Sequence, residues 1–204
     1  MLQYHATLTR ALSVALGSNE SVVLISILER LRATGRRVGI AGNGGSSATA
    51  QHLAADWSRS GGVRTIDISA SLATITACAN DDGYGSVFEH QVAALLDSGD
   101  AIVLISTSGK SANILRAAEA ARATRVFVIA LTGRRSSPLA RLADIELCAD
   151  SEDADIAEDV HIALGHAVCR ALARSRTTTT SERGGRATSP EVTPDATTSP
   201  LVGS

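Results

Sequence analysis

Short runs of β-branched and aliphatic residues, separated by longer stretches with helical spacing, limit what this chain can fold into more than any other feature. The runs are RVGIAG, RTIDIS, AIVLIST, RVFVIALTG and DIELCAD. Parallel strands cannot be joined by tight turns. Alternation of this kind therefore implies crossovers, and right-handed crossovers lay helices on both faces of a parallel sheet. VGIAG, IVLIS and VFVIAL are almost continuously apolar, as central strands are. The spacing predicts helices over 46–58, 72–96, 111–123 and 154–174. Two more, over 3–16 and 20–34, precede the first strand, where either subunit contacts or simple packing would explain them.

With 204 residues, 44% of them apolar, the chain has the material for one domain with a full core. We assign that domain to residues 1–175. Residues 176–204 are rich in Thr, Ser, Pro and Gly, bury too little to offset their ordering entropy, and are expected to be disordered. A formal net charge of -2 gives no basic field for nucleic acid. No apolar run approaches the ~20 residues of a membrane span, and the amphipathic N-terminus lacks the pattern of an export signal. These readings predict a cytoplasmic protein with small-molecule chemistry. Cys78, Cys148 and Cys169 are odd in number and far apart, which argues against a disulfide framework or a cysteine zinc site.

Ligands of open parallel sheets bind at the carboxyl ends of the strands, where helix N-termini attract anions. Two loops there carry suitable residues. Gly42-Asn43-Gly44-Gly45-Ser46-Ser47 follows the first strand and permits close backbone approach. As a dinucleotide fingerprint it is incomplete, because Ser47 stands where the third glycine belongs; Asp67 is the matching candidate for a ribose-binding acid. Ser106-Thr107-Ser108-Gly109-Lys110-Ser111 follows the third strand. Four hydroxyls at a helix N-terminus suit a phosphate monoester. Leu104 in place of the first P-loop glycine excludes a nucleotide P-loop.

Acid–base candidates lie on two helices. His52 and Asp56, four apart, share one helix face. Glu158 and His166, eight apart, return to within about 80° of each other and can look at one cavity. Such a set can move protons beside a carbonyl or hold a zinc ion. His161 points elsewhere, and His5 and His90 have no partner pattern; ordinary packing or solvation explains all three.

GNGGSS, QHLAADW, ANDDGYG, ISTSGKSANIL and AEDVHIALGHAVC, in that order, resemble the sugar isomerase (SIS) domain of bacterial phosphoheptose isomerases. The resemblance implies a three-layer α-β-α sandwich with a five-stranded parallel sheet and extra N-terminal helices, assembled as a homotetramer with active sites at subunit interfaces. It also implies conversion of D-sedoheptulose 7-phosphate to D-glycero-D-manno-heptose 7-phosphate through an enediol. Carried over by position, Ser106, Thr107, Ser108 and Ser111 would hold the phosphate, and Asn43, Gly44, Gly45, Asn80, Asp81 and Glu158 the sugar. Asp56 and His166 would be the acid–base pair. His52, Asp56, Glu158 and His166 would bind one zinc per subunit. The chain departs from the family pattern twice: Asp56 replaces a Glu, shortening its reach by roughly 1.5 Å, and Glu158 replaces a Gln, adding negative charge that favours a cation. The first departure leaves open a second reading, a phosphosugar-binding or regulatory protein without catalysis.

Overall fold

The structure, a computed structural model, describes residues 1–184, with side chains through residue 176. All five apolar runs form strands: β1 (Arg37–Gly42), β2 (Arg64–Asp67), β3 (Ala101–Ser106), β4 (Phe127–Thr132) and β5 (Ile145–Cys148). They pair in parallel in the order β2-β1-β3-β4-β5. The chain leaves β1 toward one edge and crosses back to β3 on the other side, so the strand order reverses between β1 and β3. The crevice above that pair is where open α/β sheets take ligands.

Helices α1 (Leu2–Leu16) and α2 (Asn19–Ala33) precede the sheet. The side chain of Ser18 caps α2 by accepting from Ser21 N. On one face of the sheet, α2, α3 (Gly45–Arg59) and α8 (Ala154–Gly184) cover Ile40, Val103 and Ile129 with Leu28, Leu53, Trp57 and Leu172. On the other face, α5 (Glu89–Leu95) and α6 (Ala112–Ala123) bury Ile102, Leu104 and Val128 under Phe88, Val92, Ile114 and Ala118. Each large aliphatic side chain so buried contributes about 1.5–3 kcal/mol. The sheet is thus sealed on both sides, which accounts for its unbroken apolar strands. The helix α1 packs on α8 through Ala11, Ala15, Ile156 and Val160. Tyr4 adds a polar tie, donating its hydroxyl to Asp159 Oδ2 at 2.6 Å. That bond to a carboxylate pushes the phenol up to about 12.

Three elements differ from the sequence reading. The helical region expected over 72–96 is broken into α4 (Leu72–Asp81), one 3-10 turn (Tyr84–Ser86) and α5, with Gly83 at φ +83° making the turn after Asp81-Asp82. A five-residue helix, α7 (Pro138–Leu142), sits where only a connection was expected; Pro138 opens it and the Ser137 side chain caps Ala140 N. The last helix does not end near Arg174 but runs to Gly184, because no proline or glycine interrupts the chain between Arg174 and Gly184. Residues 176–184 therefore extend α8, while the rest of the expected disordered stretch, 185–204, lies outside the described residues. No single helix among the described residues is long and apolar enough to cross a membrane. The three cysteines are free, Cys148 and Cys169 being buried.

Candidate active site

Both candidate loops lie at the carboxyl ends of β1 and β3, the switch-point pair, and a side-chain network joins them. The amides of Asn43 and Asn113 exchange two hydrogen bonds of 2.9 Å each, and Tyr84 donates its hydroxyl to Asn43 Oδ1 at 2.9 Å. Asn113 is buried in the first turn of α6, so the glycine loop is tied directly to the helix that the hydroxyl loop begins. Asn113 and Tyr84 escaped the sequence reading, although both stand inside motifs that it singled out. A cleft of about 310 Å³ opens here, lined by Asn43, Gly44, Ser47, Gln51, Leu72 and Tyr84 among others. Asn80 and Asp81 are not in its lining. They end α4 on an exposed face, where Asn80 Nδ2 donates to Asp81 Oδ1 at 2.8 Å.

In the hydroxyl loop, Gly109 at φ +60° lets the chain double back so that its N–H meets Ser106 Oγ at 3.1 Å. Ser106 Oγ lies 3.4 Å from Ser111 Oγ, and Lys110 N donates to Ser108 Oγ at 3.2 Å. Ser111 is the N-cap of α6, yet its side chain makes no capping bond. Its hydroxyl is therefore not consumed by closing the helix, as ordinary capping would require. Asp67, the candidate ribose acid, instead accepts the backbone N–H of Ser69 at 2.8 Å, and burial raises its pKa.

The acid–base residues meet through close packing of α3 and α8. These helices run side by side in register: Trp57 Nε1 donates to Gly165 O at 3.0 Å, and Cys169 Sγ approaches Asp56 O at 3.4 Å. A Cβ on Gly165 would collide with the fully buried Leu53, so the approach depends on glycine there. One residue on, His166 faces His52 with Nε2 atoms 2.8 Å apart and rings edge-on, their centroids 4.9 Å apart. Asp56 Oδ2 lies 3.3 Å from His52 Nε2. The side chains of His52 and Asp56 are 48% and 24% exposed, open enough for a ligand to reach them.

His52, Asp56 and His166 can each turn a ligand atom to one point, these atoms lying within 4.8 Å of one another. Two imidazoles and a carboxylate with one side open match a catalytic zinc site, which keeps a fourth position free. Zinc–nitrogen bonds of about 2.0–2.1 Å need tetrahedral nitrogens roughly 3.3 Å apart, so the two rings would separate by about half an ångström. The residues fit the ion. Glu158 is a correction to the four-residue set: its carboxylate sits against Gly45, at the start of α3, and not with His166. Eight residues of helix put about 12 Å of rise between them, and the favourable angle about the axis cannot offset that separation.

His161 is buried, its Nε2 3.1 Å from Thr132 O, and its Nδ1 has no partner among the described residues. Burial pushes its pKa down to about 4, leaving a neutral ring that donates to the carbonyl and takes no part in the exposed cluster.

The SIS domain family profile matches residues 67–173. A phosphoheptose isomerase of Streptomyces coelicolor is 43% identical over 145 residues, which cover 68% of this chain and 62% of that protein. A phosphoheptose isomerase of Bradyrhizobium sp. is 35% identical over 174 residues, covering 82% of this chain and 87% of that protein. Among solved structures, the phosphoheptose isomerase of Neisseria gonorrhoeae superimposes with a TM-score of 0.77 at 31% identity, over 84% of this chain and 93% of that one. Two anion-suited loops at the switch point of a five-stranded parallel sheet, together with these matches, establish that the chain belongs to the SIS domain family, in its phosphoheptose isomerase branch.

Proposed function

We propose that this protein is an aldose–ketose isomerase that converts D-sedoheptulose 7-phosphate to D-glycero-D-manno-heptose 7-phosphate through an enediol. The observation that carries this reading is the meeting of an aspartate and a histidine, Asp56 and His166, on one accessible face of two helices. In the forward direction a base takes a proton from C1 of the ketose while the C2 oxygen gains one, giving the enediol. Return of a proton to C2 and loss of the O1 proton complete the aldose. The Asp56 carboxylate is the group for the carbon-bound proton, and the His166 imidazole moves protons between the two oxygens. Ser106, Thr107, Ser108 and Ser111 hold the phosphate, fixing the reacting end by anchoring the far one. The glycine loop, Asn43 to Gly45, carries the sugar, as do Glu158, Asn80 and Asp81.

Length decides how the site is assembled. His52 and Asp56 lie seven and eleven residues along α3 from Gly45, about 10–16 Å at 1.5 Å per residue. An extended seven-carbon chain with its phosphate spans roughly 10 Å. A substrate held by both loops of one copy therefore falls short of that copy's Asp56, and a second copy presents the acid–base pair. A homotetramer with shared sites meets this requirement. His52, Asp56 and His166 would hold one zinc per subunit. Bound there, zinc would polarise the C1 and C2 oxygens and stabilise negative charge growing on them. A cytoplasmic setting suits a doubly charged substrate that does not cross a bilayer unaided.

The test is formation of aldose from sedoheptulose 7-phosphate by the zinc-supplied protein. Asp56→Ala and His166→Ala should each lower kcat by about 10²-fold or more while phosphosugar binding persists. No turnover by the wild type, or turnover indifferent to both substitutions, contradicts the proposal.

A further inference from the structure

The four hydroxyls of the phosphate loop, Ser106, Thr107, Ser108 and Ser111, are uncharged. Hydroxyls and backbone N–H groups can bind a phosphate monoester, but they do not neutralise its two negative charges. Of the chain's 19 lysines and arginines, one alone is a lysine, and it is Lys110, between Gly109 and Ser111 of that loop. Everywhere else the chain carries its positive charge on arginine.

We propose that Lys110 is the cation that holds the substrate's phosphate at the hydroxyl loop, with Arg134 as a second charge across the groove; this rests on the loop being the phosphate site. Lys110 is exposed and lines a groove of about 260 Å³ together with Thr107, Ser108, Arg134, Ser151 and Glu152. Arg134 reaches in from the loop after β4 and is engaged by Glu152 at 3.3 Å. Lys110 has no ion pair among the described residues, so the groove keeps one uncompensated positive charge. The backbone N–H of Lys110 is committed to Ser108 Oγ, which fixes the root of its side chain beside the hydroxyls. Chemistry favours lysine at this point. An ammonium is a compact charge with three donors that can follow a phosphate turning about its ester bond, whereas a guanidinium needs a planar, two-pronged partner.

The single lysine makes the test direct, because only Lys110 and the N-terminus carry alkyl amines. Steady-state kinetics on Lys110→Ala should show KM for sedoheptulose 7-phosphate raised about 10-fold or more, the scale of a lost charged hydrogen bond, with kcat little changed. Competitive inhibition by inorganic phosphate should weaken in parallel, and Lys110→Arg should recover part of both. Turnover of unphosphorylated sedoheptulose, however slow, should not respond, which a general loss of structure would not reproduce. Reductive methylation of the wild type should be slowed at Lys110, and not at the N-terminus, by inorganic phosphate. An active Lys110→Ala enzyme with unchanged KM overturns the inference. Should the wild type not turn over at all, the proposed reaction fails and the methylation arm decides alone: protection by phosphate upholds Lys110, and its absence removes it.

Discussion

At the scale of single residues, chemistry is assigned by what each polar group is already doing. His161 and His166 stand five apart on one helix, yet one is sealed under the sheet and neutral while the other is open to ligand. Their difference has a thermodynamic consequence. The pKa of His161 falls from the ordinary 6.5 to about 4 on burial, so between these values the unfolded chain binds more protons than the folded one, and stability rises with pH. The contribution is complete above about pH 6.5 and is lost as the pH falls toward 4, up to about 3 kcal/mol in all. Thermal denaturation over that window should show this slope in the wild type, and His161→Gln should flatten it. Asn113 offers a second prediction. It is buried and paired twice to Asn43, so Asn113→Ala strands a half-buried amide and should cost about 1–3 kcal/mol, read as a fall in Tm, and raise KM by loosening the glycine loop. The sequence pattern made His52, Asp56 and His166 visible by spacing alone. Asn113 and Tyr84 were not, because an asparagine and a tyrosine in a loop motif carry no signal of the long-range partner that gives them a role.

Among the elements, the pair α3 and α8 does most to make the site. Gly165 and Leu53 set how closely these helices lie, and that separation sets the 2.8 Å between His52 and His166. Gly165→Ala should therefore act twice: overpacking should destabilise the domain by about 1–3 kcal/mol, and the histidines should move apart, weakening zinc binding measured by competition with a chelating dye. Destabilisation with unaltered zinc affinity would show that the helix spacing does not govern the cluster. The central strands β1, β3 and β4 are legible because a sheet covered on both faces demands continuous apolar runs there. The helices are less so. The break at Asp82-Gly83 was hidden by apolar residues on both sides of it, and α7 is too short to show a period. Glu158 and His166 share an angle about the axis of α8 but not a height along it: residues four apart on a helix meet, whereas residues eight apart are separated by about 12 Å of rise.

At the scale of the whole molecule, the proposed shared site means that no copy works alone. With the phosphate held by one copy and the acid–base pair presented by another, as proposed, two inactive variants damaged at opposite ends should rescue each other. Ser108→Ala combined with Ser111→Ala in one chain, and Asp56→Ala in another, should each be nearly inactive as homo-oligomers and regain a measurable fraction of wild-type turnover after mixed refolding, as sites with both halves intact re-form. The most direct test of the central claim, proton transfer at C1 and C2 by Asp56 and His166, is proton NMR of sedoheptulose 7-phosphate incubated with the zinc-supplied enzyme in D₂O. Solvent deuterium should enter the substrate at C1 and the aldose at C2, at a rate that collapses in Asp56→Ala and His166→Ala. Tight binding of the phosphosugar with no deuterium entering either carbon would contradict it.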